Sequence, residues 1–155
     1  EENFPMKAGK MTVKELLESQ GVDYSFICVS GPWAKLFRTD IIKEYNIRLD
    51  TSVSLGEDRI FNIDYLMHCK TVSGLEKSLY IYLREDADSL FTRYNPNIYD
   101  IYKKIYGREC LLYDKNDVNS NSVKRLLTCH ISRLMNAVGS AYKNHDVNKW
   151  KFLKN

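Results

Sequence analysis

The spacing of apolar positions changes character along the chain. Thr12-Val13-Lys14-Glu15 has the form of a capping box and predicts a short helix that Gly21 ends. Tyr24-Ser25-Phe26-Ile27-Cys28-Val29 is β-branched and aromatic and predicts a strand, after which Gly31-Pro32 turns the chain. Ile41, Ile42 and Tyr45 then stand at helical spacing within a second short helix, 35–46. Ser54-Leu55-Gly56-Glu57 reads as another capping box. The helix it starts runs to about Lys70, with Ile60, Phe61, Ile63, Tyr65, Leu66 and Met67 covering so broad a surface that burial is expected. Thr71-Val72-Ser73 and Leu79-Tyr80-Ile81-Tyr82-Leu83 predict two further strands, separated at Gly74.

From Pro96 onward the pattern is wholly helical. Ile98, Ile101, Tyr102, Ile105 and Leu112 make one stripe, and Val123, Leu127, His130, Leu134, Val138 and Tyr142 make a second. Residues 116–122 are a polar connection between them, and Trp150 and Phe152 give the terminus something to bury. The expected fold is α+β: a mainly helical fragment with a small sheet remnant of about three strands, the Gly56-Glu57-Asp58 helix, and a trailing helical pair. Three strands with no βαβαβ series cannot make a nucleotide-binding half. Neither G-x-G-x-x-G nor G-x-x-x-x-G-K-[ST] occurs.

Composition narrows the class without naming a function. With 155 residues, 44% hydrophobic and 28% charged, the chain has ordinary globular make-up and room for little more than one domain. No apolar run reaches the ~18–20 residues of a membrane span, and Glu1-Glu2-Asn3-Phe4-Pro5 does not read as a signal peptide. The first residue is not Met, which fits an excised piece of a longer protein. Cys28, Cys69, Cys110 and Cys129 form no C-x-x-C pair; reduced thiols and a cytoplasmic setting are expected. The net charge of +3 implies no nucleic-acid partner, and RNA binding lacks an RNP, KH or zinc-finger pattern. Charge is unevenly placed, however. Residues 1–96 carry 12 Lys and Arg against 15 Asp and Glu, whereas residues 97–155 carry 11 against 5.

The most specific local feature is Gly56-Glu57-Asp58 at a helix start. Two carboxylates in a first turn are stabilised by the helix dipole and by free backbone N–H groups, so capping alone accounts for them. The chemical alternative is a general base at the lip of a cleft, suited to removing a proton from a sugar hydroxyl. Trp33 has the same double reading, as a core aromatic or as a cleft wall. His68-Cys69 and Cys129-His130 nominally supply four zinc ligands, but adjacent ligands rarely fit a tetrahedral site. Tyr99, Tyr106 and Tyr113 recur every seven residues, which packing explains better than base stacking.

The order of motifs weighs toward chemistry. Gly31-Pro32-Trp33-Ala34-Lys35-Leu36-Phe37 comes first, then Ile42 to Asp50, then Gly56-Glu57-Asp58-Arg59-Ile60-Phe61-Asn62, Tyr65-Leu66, Leu79-Tyr80-Ile81-Tyr82 and Ser89-Leu90. Over about residues 30–95 this resembles the acceptor-side half of family 2 glycosyltransferases of the GT-A fold, bacterial enzymes that build surface polysaccharides. Departures are Leu49 where Phe is usual and Ser78 where Pro is usual. The resemblance implies that Asp58 is the catalytic base of an inverting transfer, that Glu57 orients the acceptor or the helix end, and that Trp33 and Lys35 lie along the acceptor cleft.

It also implies a division at about residue 95: an acceptor-side part, 1–95, and a basic helical extension, 96–155, packed on it. The donor-binding half, which holds the nucleoside diphosphate sugar and a divalent metal (Mg²⁺ or Mn²⁺) on a D-x-D motif, is missing. Asp86-Ala87-Asp88 has the letters of that motif but follows the Glu57-Asp58 helix instead of preceding it, and reads as a solvated loop. No cofactor is expected in the fragment itself, which should be inactive alone. Its partners would be the missing half, the sugar donor and a glycan acceptor. An anionic membrane surface at the inner face of the membrane, and self-association through exposed apolar surface, remain open. The competing reading is a non-enzymatic helical interaction module that docks on a partner protein or anionic membrane through its basic last third.

Overall fold

The computed structural model describes residues 8–19, 30–77, 80 and 93–144. Within them the fold is α+β, with five helices and one two-stranded antiparallel sheet. The candidate strands 24–29 and 79–83 lie outside the described residues except for Tyr80, as do Asp86-Ala87-Asp88, Trp150 and Phe152.

Helix α1, Val13–Ser19, starts on the Thr12 capping box read from the sequence. The Glu15 N–H donates to Thr12 Oγ1 at 3.1 Å, and the Thr12 N–H donates to Glu15 Oε2 at 2.7 Å. Ahead of it lies a strand that the pattern does not announce: β1, Gly9–Thr12, pairs antiparallel with β2, Thr71–Gly74, placing Met11 opposite Val72 and Thr12 opposite Thr71. Gly and Lys have low strand propensity, so β1 exists because β2 offers it a ladder.

Helix α2, Thr39–Glu44, is shorter than the expected 35–46. Lys35 reaches back instead, its ammonium donating to the carbonyls of Ser30 at 3.0 Å and Gly31 at 2.7 Å, and Ala34 takes a left-handed φ of 56°. Those bonds fix 31–35 as a tight loop. Helix α3, Glu57–Leu66, also departs from expectation at both ends. Its N-cap is Gly56, and the Ser54 hydroxyl does not cap it; Ser54 Oγ accepts from Asn95 Nδ2 at 3.0 Å. The C-terminal end tightens after Leu66, with His68 N–H donating to the Tyr65 carbonyl at 3.0 Å, because the chain must enter β2 at Thr71.

The trailing pair is α4, Ile98–Lys115, and α5, Ser120–Lys143, with the Asn119 side chain capping α5 through the Ser122 N–H at 2.9 Å. They run antiparallel: Ile98 and Tyr99 at the start of α4 line the same small cavity as Ala137 and Ala141 late in α5. One cluster of buried side chains joins α1 (Val13, Leu16, Leu17), α3 (Ile60, Ile63, Leu66), α4 (Ile101, Ile105, Leu112, Tyr113) and Leu126 of α5. Each such aliphatic side chain contributes about 1.5–3 kcal/mol by leaving water.

The α4 stripe is buried as its spacing predicts, at Ile101, Ile105 and Leu112. The α5 stripe is not. His130 is its single buried member, and the covered face carries Ser122, Leu126, His130, Ala137 and Ala141. Among the described residues no helix is long and apolar enough to cross a membrane.

Candidate functional site

The start of α3 is held from two sides. Gly56 has φ 82°, a conformation that glycine adopts without strain, and a Cβ there would stand 2.8 Å from Ile105 Cδ1. The absence of a side chain therefore lets α3 begin directly against α4. Glu57 and Asp58 follow, both half-buried, and Asp58 Oδ1 accepts the Arg59 backbone N–H at 2.6 Å.

The other side is the loop carrying Trp33 and Lys35. Arg59, Asn62 and Tyr65 are three residues apart and so share one face of α3. Each takes hold of that loop or the segment after it. Arg59 Nη1 donates to Ser30 Oγ at 3.2 Å, Asn62 Nδ2 donates to the Gly31 carbonyl at 2.9 Å, and the Tyr65 hydroxyl accepts from the Arg38 N–H at 2.8 Å. Phe37 adds edge-on contacts with Phe61 and Tyr65, their ring centres 5.4 and 4.9 Å away.

Within the loop, Trp33 lies over Gly31, where a Cβ would come within 2.2 Å of the indole Nε1. The indole stacks on Tyr80 with centroids 5.7 Å apart, and the Lys35 ammonium sits 5.3 Å from the ring centre. Lys35 is thus a staple for the loop carbonyls as well as a cation beside an aromatic ring. The four residues singled out in the sequence occupy two elements that are bonded together. They do not line the cleft of about 440 Å³ between 51–54 and the start of α4, which is walled by Ser52, Ser54, Asn97, Asp100 and Lys104.

Behind Arg59 is a charge cluster that sequence reading missed. Arg59 Nε donates to Glu109 Oε1 at 2.8 Å, Arg59 Nη2 reaches the same oxygen, and Arg133 Nη1 donates to Glu109 Oε2 at 3.0 Å. All three side chains are largely out of water, with exposures of 7%, 3% and 12% for Arg59, Glu109 and Arg133. Burial pushes the nearby Tyr113 phenol up to about 12, and the charge of Glu109 adds to the shift. The signal available in the sequence was Glu109 itself, an acid one turn beyond Ile105 on the apolar stripe of α4. This cluster positions α3 against α4 and α5.

His130 flanks the cluster, stacked on Tyr106 with ring centres 3.9 Å apart, and its Nδ1 has no hydrogen-bond partner among the described residues. His68 is elsewhere, stacked on Tyr45 at 3.7 Å. Among the described residues no three His, Cys, Asp or Glu side chains come together as a metal-binding group. No family model, curated protein or solved structure matches the chain.

Proposed function

We propose that the chain is the acceptor-side part of an inverting family 2 glycosyltransferase that transfers a sugar from a nucleoside diphosphate sugar to a glycan hydroxyl in surface polysaccharide synthesis. The observation that carries this reading is the fastening of the 30–35 loop to the first turns of α3 through Arg59 and Asn62. It ties the Trp33 and Lys35 segment to the helix that begins with Glu57 and Asp58. An aromatic ring and a paired carboxylate on adjoining elements suit a sugar, whose C–H face packs on aromatic rings and whose hydroxyl needs a base.

In this reading Asp58 takes the proton of the acceptor hydroxyl as that oxygen attacks the anomeric carbon from the face opposite the diphosphate. Glu57 orients the acceptor, and Trp33 forms part of the surface on which it lies. The nucleotide and its divalent metal belong to the donor-binding half, and the activity belongs to the whole enzyme.

The test is Asp58→Asn in the full-length enzyme. Asn retains the oxygen that accepts the Arg59 N–H but cannot take a proton, so turnover should fall about 10²–10⁴-fold with donor affinity and folding retained. Glu57→Gln should cost less. If both carboxylates only stabilise the helix start, each substitution instead lowers stability by ~1 kcal/mol or less and leaves turnover within a few-fold. Full turnover in a folded Asp58→Asn enzyme overturns the assignment of the base.

A further inference from the structure

Helix α5 is attached to the body by one face and leaves much of a second, apolar face in water. The buried positions Ser122, Leu126, His130, Ala137 and Ala141 fall within an arc of about 100° on the helix wheel. Val123, Leu127, Ile131, Leu134, Met135, Val138 and Tyr142 fill a second arc, about 120° wide and centred roughly 110° from the first. Its exposed members are Val123 at 45%, Leu127 at 45%, Ile131 at 49%, Met135 at 69% and Tyr142 at 67%. From 123 to 142 this ridge extends about 28 Å, and a contiguous apolar surface of that kind marks a contact with something else.

Charge says what that something is. Helix α5 contains Lys124, Arg125, Arg133 and Lys143 and no Asp or Glu. Arg133 is engaged by Glu109, and Arg125 by the Glu18 carbonyl and the Ser122 hydroxyl. Lys124 and Lys143 are exposed, and neither forms an ion pair with a described residue. Lys124 falls inside the apolar arc itself. The sequence beyond α5 repeats this chemistry, with Lys149-Trp150-Lys151-Phe152-Leu153-Lys154 alternating cations and apolar side chains.

A second copy is a poor occupant. Two such ridges packed face to face would each bring Lys124 into the seam, with no acid on either helix to offset it. An aliphatic ridge with few directional hydrogen-bonding groups, carrying Lys124 and followed in sequence by aromatics and more lysines, matches an apolar boundary faced with anions. Acyl chains take the aliphatic side chains, lysine stems extend along them to the phosphates, and aromatic rings favour the headgroup level.

We propose that α5 is an interfacial helix that lies in the headgroup plane of an anionic bilayer, with the ridge Val123–Leu127–Ile131–Met135 at the acyl boundary and Lys124 on a lipid phosphate. This inference does not depend on the glycosyltransferase reading.

The test is co-flotation of the 155-residue chain with vesicles of phosphatidylcholine alone and of an equal mixture with phosphatidylglycerol. The chain should float with the anionic vesicles, less so as salt rises, and not with the neutral ones. Lys124→Gln should weaken binding about fivefold. The double substitution Leu127→Asp, Ile131→Asp should abolish it with the thermal midpoint kept, since both side chains already face water. The proposal is overturned by no flotation of the folded chain with anionic vesicles, by equal flotation with neutral ones, or by binding that survives the double substitution and so belongs to the terminal sequence. A dimer in vesicle-free buffer that the double substitution dissociates also overturns it, because the ridge would then belong to a second copy.

Discussion

Arg59 of α3 and Glu109 of α4 form a buried ion pair in which Nε and Nη2 of the guanidinium both donate to Glu109 Oε1. The other carboxylate oxygen receives Arg133 of α5, so a single acid joins three helices. One of the two arginines then extends outward to Ser30, and the cluster thereby connects the core to the loop that carries Trp33.

Because Glu109 serves both cations, its loss should be costly. Glu109→Ala removes from Arg59 and Arg133 the carboxylate they share in a buried setting, and removal of one partner from a buried pair costs about 3–5 kcal/mol. That is a large share of the ~5–15 kcal/mol available to a folded domain. Urea unfolding should show a midpoint lowered accordingly; a loss below about 1 kcal/mol would mean that the cluster is not holding the three helices.

A second expectation concerns acid. Burial holds His130 below its ordinary pKa of 6.5, the neighbouring Arg133 cation pushes the same way, and Glu109 opposes them more weakly. With the folded pKa below the unfolded one, the unfolded chain binds the proton first, so stability rises with pH through this range. The contribution is intact above about 6.5 and is lost as pH falls below it. His130→Phe keeps a ring against Tyr106 and removes the titration. Urea midpoints measured from pH 5 to pH 8 should fall toward acid more steeply for the native chain than for the variant; identical slopes would exclude His130 as the source.

Gly56 provides a third. Its left-handed φ of 82° costs a non-glycine residue about 1–2 kcal/mol, and a methyl group there must displace the end of Ile105. Gly56→Ala should lower stability by that amount and shift the start of α3, which carries Glu57 and Asp58. The urea midpoint measures the first effect. Under the proposed transferase function, the second should appear in the full-length protein as a loss of turnover larger than that of an equally destabilising substitution in α1, such as Leu17→Val.

Features whose partners lie within a turn of one another were readable directly. Thr12 and Glu15 satisfy each other across three residues, and the stripe of α4 needs only its own spacing to say which side faces inward. The acidic first turn of α3 was equally plain, as was the α+β class. What these local rules left open was settled by groups distant in the chain. β1 is a strand because Thr71–Gly74 lies beside it, and Ser54 fails to cap α3 because Asn95 takes its hydroxyl and Gly56 makes the turn. Which face of α5 is covered was open for a related reason. Periodicity reports where the apolar side chains are, but close approach to α4 selects the side bearing Ser122, Ala137 and Ala141, and the Arg133–Glu109 pair fixes the helix in that rotation. An apolar stripe specifies an amphipathic helix; the shape and charge of its neighbour decide which side is covered.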